Sequence, residues 1–120
     1  GAWPDNRSPQ IRSMKLDARE AAQNVVLSPA ATYEARVESV DPDGDAMNYK
    51  WEIMRESEAT QTGGDREEIP PVIEGLITEQ APGLVAMTTP AEPGAYRLFV
   101  YVYDGKGHAG HANIPFYVEE

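Results

Sequence analysis

The run Tyr96-Arg97-Leu98-Phe99-Val100-Tyr101-Val102-Tyr103-Asp104 constrains this chain more than any other stretch. It is dense in aromatic and β-branched residues, and Pro93-Gly94 before it and Gly105 after it punctuate its ends, so it reads as one strand. Side chains alternate faces along a strand, which divides the run into two sets. Tyr96, Leu98, Val100 and Val102 form a mostly aliphatic set suited to a core. Arg97, Phe99, Tyr101 and Tyr103 form the other set, a cation followed by three rings. A sheet with one wet face reads apolar-in and polar-out. This strand does not, so its second face needs a partner or a cover.

The remaining chain supplies further strands. Ile11, Met14 and Leu16 make an edge strand whose irregular alternation points to a bulge. Residues 17–23 fit a helical turn or a loop, and Val25 and Leu27 a short strand ended by Ser28-Pro29. Tyr33, Ala35 and Val37 face inward on a clear alternating strand, and Met47, Tyr49, Trp51 and Ile53 do so on the next, with Met54 breaking its polar side. Val85, Met87 and Thr89 line another inner face. The last strand puts Ile114, Phe116 and Val118 inward and Asn113, Pro115 and Tyr117 outward; Pro115, lacking an amide donor, belongs on an unpaired side or at a bulge. About seven short strands joined by turns predict an all-β fold, a two-sheet antiparallel sandwich. Residues 1–9 read as a linker and residues 10–120 as the domain. Residues 55–82 form a long excursion with a short strand or turn between Val72 and Ile77, a length that marks a functional or disordered connection.

Charge narrows the partners. Lys plus Arg total 10 against 20 Asp plus Glu, a net charge of −10, which repels nucleic acid and anionic membrane surfaces. With no cysteine, no disulfide staples the fold. No apolar run is long enough for a membrane helix and no signal-peptide pattern opens the sequence, so an exported form implies a larger parent chain or a signal already removed.

Asp41-Pro42-Asp43-Gly44-Asp45 followed by Met47-Asn48-Tyr49-Lys50-Trp51 resembles the DPDGD-x-L-x-Y-x-W signature of polycystic-kidney-disease-type and bacterial cadherin-like domains, with Met47 replacing Leu. Gly94-Ala95-Tyr96 through Val102, with Asp104-Gly105-Lys106-Gly107, is similar to their penultimate strand and its D-G-x-G turn. Asn6-Arg7-Ser8-Pro9 resembles their N-x-x-P lead-in. The resemblance implies an Ig-like sandwich of the kind appended to secreted bacterial glycoside hydrolases, with Trp51 between the sheets. It makes a non-catalytic carbohydrate-binding module the leading expectation, with β-glucan or cellulose as the polysaccharide and a catalytic domain in the parent chain. The alternative is a structural spacer or protein-docking domain of the same fold.

Sugar rings present C–H arrays that stack on aromatic faces, while polar neighbours bond the hydroxyls, so an aromatic floor with a polar rim suits a glycan. Phe99, Tyr101, Tyr103 and Tyr117 are the expected stacking residues, and Asn113, Lys50, Glu52 and Arg97 the expected hydrogen-bonding ones. Burial of the rings beneath the excursion or a neighbouring domain is the competing reading, and Trp3 fits either a linker or an added ring. At the acidic turn, alternating Asp41, Asp43 and Asp45 suit calcium, with Asp104, or Asp5 and Asn6, available to close the oxygen shell. A turn capped by those Asp side chains explains the same residues. His108 and His111 lack an evident third metal ligand, and no Ser-His-Asp order or paired-carboxylate setting stands out, so no catalytic residue is assigned.

Overall fold

The computed structural model describes residues 9–40, 47–56, 72–105 and 109–120. Its strands are β1 (Gln10–Leu16), β2 (Val25–Leu27), β3 (Thr32–Val40), β4 (Asn48–Arg55), β5 (Val72–Ile73), β6 (Ile77–Ala81), β7 (Leu84–Thr88), β8 (Gly94–Tyr103) and β9 (Ala109–Val118), with a 3-10 turn at Ala21–Gln23. They form two sheets, ordered β1-β3-β7-β6 and β2-β9-β8-β4-β5. This is the expected all-β, Ig-like sandwich.

The inner faces follow the alternation in the sequence. Tyr96, Leu98, Val100 and Val102 of β8 are at most 1% exposed. Across the interior they join Ala35, Val37, Val85 and Met87 from the other sheet and Ile114, Phe116 and Val118 from β9 in one apolar cluster. Fully burying side chains of this size contributes roughly 1.5–3 kcal/mol each, so β8 alone anchors much of the fold. Tyr96 stacks on Phe116 with centroids 5.7 Å apart. Its hydroxyl donates to the Glu92 carbonyl at 2.7 Å and accepts from Arg55 Nη2 at 3.1 Å, so the buried phenol keeps its polar partners. Thr89, also buried, ties two turns together by accepting from the Ala31 amide at 2.9 Å and donating to the Ser28 carbonyl.

β1 lies at a sheet edge and its register with β3 slips between Ile11 and Ser13, the irregularity its apolar spacing predicts. The chain then reverses at Asp17-Ala18, both at positive φ, with reciprocal backbone hydrogen bonds between Leu16 and Arg19. After the 3-10 turn it enters the opposite sheet, where β2 runs parallel to β9, from Val25↔Phe116 to Leu27↔Val118. That pair departs from a wholly antiparallel sandwich because β1 and β2 belong to different sheets. The same crossing occurs in the excursion. β5 pairs with β4 at Ile53↔Ile73, turns away at Gly75 (φ +85°), and β6 pairs with β7 in the other sheet. The predicted single strand or turn between 72 and 77 is therefore two strand segments on opposite layers, which raises the strand count above seven. Pro9 is already buried, and its carbonyl fills the space where a side chain on Gly110 would stand, so the packed domain begins no later than Pro9. Residues 1–8, the rest of the predicted linker, and residues 57–71 of the excursion lie outside the described residues.

Candidate functional site

The site is built on the outer face of β4, β8 and β9. β8 pairs antiparallel with both neighbours, so its outward side chains define cross-strand rows. Lys50, Tyr101 and His111 form one row; Glu52, Phe99 and Asn113 the next; Met54, Arg97 and Pro115 the third. Tyr103 precedes these rows opposite Asn48, and Tyr117 follows them opposite Ala95. Every predicted contact residue, Phe99, Tyr101, Tyr103, Tyr117, Asn113, Lys50, Glu52 and Arg97, thus lies on one face. Inward and outward alternation is fixed locally, and the register of the two ladders brings the sets level.

The aromatic row is ordered. Phe99 and Tyr101 have ring centroids 6.3 Å apart and planes within 10°, an offset pair of the kind that adds about 0.5–1.5 kcal/mol beyond burial. Tyr101 also meets the His111 ring at 6.3 Å, tilted by 44°. Phe99 and Tyr101 are half-buried, Tyr103 is 39% exposed and Tyr117 53%. Burial raises the Tyr101 phenol above its ordinary value; the charges of Glu52 and Tyr103 push the same way, and Lys50 opposes them.

The polar rim is partly self-paired. Arg97 binds Glu56 through Nε at 2.8 Å and Nη2 at 3.0 Å, and its Nη1 donates to Asn113 Oδ1 at 2.6 Å. The fork on Glu56 and its charge raise the Arg97 guanidinium, against the lowering effect of burial. Lys50 Nζ lies 3.3 Å from Glu52 Oε2. The sequence pattern offers Arg97 and Asn113 to a ligand. Each has committed one side to the other, leaving Arg97 two N–H groups and Asn113 its amide nitrogen. Glu56 was not singled out in the sequence; it follows β4 directly and is fixed by its amide donating to the Ala95 carbonyl at 3.0 Å. Met54 breaks the polar alternation of β4 where β5 joins it and Arg97 lies opposite, which is the sequence trace of this crowded corner.

Beside Arg97 and Glu56 the surface dips into a hollow of about 280 Å³ that reaches Pro115, Tyr117, Asn24 and Ala21. A second hollow of about 440 Å³ lies where β5 leaves β4, bordered by Trp51 and the segment from Ile73 to Ile77. Trp51 packs against the core, as its inward position requires, and among the described residues its buried Nε1 has no hydrogen-bond partner.

Asp41, Asp43 and Asp45 lie outside the described residues, as does His108. Asp104, the fourth predicted calcium ligand, is 3% exposed. Among the described residues, no group of three or more His, Asp or Glu side chains could hold a metal ion. His111 is exposed, and its ring contact is with Tyr101. No described helix is long and apolar enough to cross a membrane.

No protein-family profile and no curated protein matches the chain. Among solved structures, PcoC, a methionine-rich copper resistance protein from Escherichia coli, is similar with a TM-score of 0.53 and 12% identity over 94% of this chain and 100% of that one. A chimeric titin Z1Z2 carrying a decorin peptide gives a TM-score of 0.44 and 17% identity over 95% of this chain and 96% of that one. At its identity, the PcoC likeness is one of fold alone.

Proposed function

We propose that this chain is a non-catalytic carbohydrate-binding module that holds an appended polysaccharide hydrolase on β-glucan or cellulose. The observation carrying this reading is the convergence of Phe99, Tyr101, Tyr103 and Tyr117 with Lys50, Glu52, Asn113 and Arg97 on one outer sheet face. Three rings in succession along β8 give a sugar chain apolar C–H contacts. The Phe99–Tyr101 stack already fixes two of them, so little side-chain freedom is lost on binding. The Asn113 amide and the tyrosine hydroxyls supply hydrogen bonds to sugar hydroxyls. The net charge of −10 disfavours polyanions and leaves neutral glycans favoured. Tethering then raises the local concentration of the attached enzyme on an insoluble substrate without new chemistry. A secreted bacterial origin belongs to the same proposal and is supported by the cadherin-like turn and lead-in of the sequence.

The test is depletion of the pure domain onto microcrystalline cellulose, with affinity electrophoresis in soluble β-glucans. Tyr101→Ala and Tyr103→Ala are run beside the parent. Retention of the parent and at least tenfold weaker retention of Tyr101→Ala are expected. An unretained parent, or mutants retained as well as the parent, would refute the platform and favour a spacer or protein-docking role for the same face.

A further inference from the structure

We propose that this face ends in a subsite for the terminus of a neutral glycan chain, so that the module recognises chain ends rather than chain interiors; the proposal rests on the glycan-binding reading above. Along β8 the row Tyr103, Tyr101, Phe99 leads to Arg97 and the hollow of about 280 Å³. That volume lies just under the roughly 300–1,000 Å³ of sites for drug-sized ligands and suits a single sugar ring. From Arg97 to Tyr103 the strand extends roughly 20 Å, the length of a short oligosaccharide.

The hollow has a wall. The 3-10 turn Ala21–Gln23 and the following Asn24, at φ 51°, flank Pro115 and Tyr117. Two hydrogen bonds close that turn, with the Glu20 amide donating to Gln23 Oε1 at 2.6 Å and the Gln23 amide donating to the Glu20 carbonyl at 2.9 Å. A chain lying along the rings and turning over Pro115 meets this wall, so the last sugar fits where a continuing chain does not. The chemistry is that of a neutral ring. The Arg97 charge is matched by the Glu56 fork, which leaves no net charge for a uronate or phosphate to answer. Pro115 supplies an apolar floor. Among the described residues, nothing bonds to the Asn24 side chain or the Tyr117 hydroxyl, and both border the hollow beside the spare N–H groups of Arg97. These donors and acceptors suit the hydroxyl that a terminal sugar carries and an internal one does not.

The experiment compares intact soluble β-1,4-linked glucan with the same mass of glucan after limited endo-cleavage, by calorimetry with the whole chain. Asn24→Gly, which keeps the positive φ, and Tyr117→Ala, at an exposed position, serve as site variants. Binding capacity should rise in proportion to the number of ends, short oligosaccharides should match the polymer in affinity per end, and each variant should weaken binding about tenfold. Capacity that follows glucan mass, or Asn24→Gly binding like the parent, overturns end recognition while leaving the aromatic platform standing, whereas Tyr117→Ala reads the platform and the subsite together. Absence of binding to every glucan form overturns both readings.

Discussion

The two faces of β8 make a matched pair of substitutions informative. Leu98→Ala removes a side chain with no exposure from the middle of the core. Truncations of this type cost about 2–5 kcal/mol, from lost transfer energy plus the residual cavity. Against a whole-domain stability of roughly 5–15 kcal/mol this is a large fraction. With a urea dependence of about 1–3 kcal/mol per molar, the unfolding midpoint should fall by about 1–2 M. Tyr101→Ala lies on the opposite face of the same strand. It loses the offset pair with Phe99 at 6.3 Å, the tilted contact with His111 and partial burial. The pair and partial burial together should cost about 1–2 kcal/mol, a midpoint shift of about 0.5–1 M and smaller than that of Leu98→Ala. Glycan retention should separate them the other way, with folded Leu98→Ala retained like the parent and Tyr101→Ala lost. Urea unfolding followed by tryptophan fluorescence measures the first ordering, and cellulose depletion at a temperature where all forms are folded measures the second. If Tyr101→Ala unfolds as early as Leu98→Ala, the outer rings are a second core and the division of β8 is refuted.

Other outcomes follow from local geometry. Gly83→Ala should cost about 2 kcal/mol or more, because φ is +81° and a new Cβ meets the Val37 carbonyl at 2.8 Å. Gly75→Ala, at φ +85° where no described residue comes within 4 Å of a new Cβ, should cost only about 1 kcal/mol; equal midpoints for the two would discredit the clash. Ala18→Gly should raise the melting temperature by roughly 2–5 °C, since Ala18 sits at φ 63° in a tight hairpin turn that prefers glycine. Lowered stability there would contradict the turn assignment. Tyr101 has a raised phenol, so its protonated form is favoured by folding and its contribution is fully present below the unfolded value near 10. That contribution should be lost as pH rises through the higher folded value, and Glu52→Gln should bring the phenol down in an ultraviolet titration. A calcium titration followed by thermal unfolding separates the two readings of the Asp41–Asp45 turn, because a ligand held only by the folded state raises the melting temperature.

The inward and outward faces of the longer strands are legible in the order of the residues. Period-two alternation is a local property of extended backbone, so the inward set of β8, the inward Ile114, Phe116 and Val118, and the bulge in β1 could be read from neighbouring residues alone. Placing the predicted rings and polar residues on a common outer surface needed only the further step of pairing three strands. The remaining features are non-local. The assignment of β1 and β2 to different sheets, the parallel β2–β9 pair and the split of the excursion into β5 and β6 depend on where distant strands offer free edges. The Arg97–Glu56 fork joins residues 41 apart in sequence, and the Asn113 contact joins residues 16 apart. No local pattern encodes such pairs, because their geometry exists only after the ladders are in register. That register turns two predicted ligand contacts into a self-paired corner. It also sets beside them the small hollow walled by Asn24.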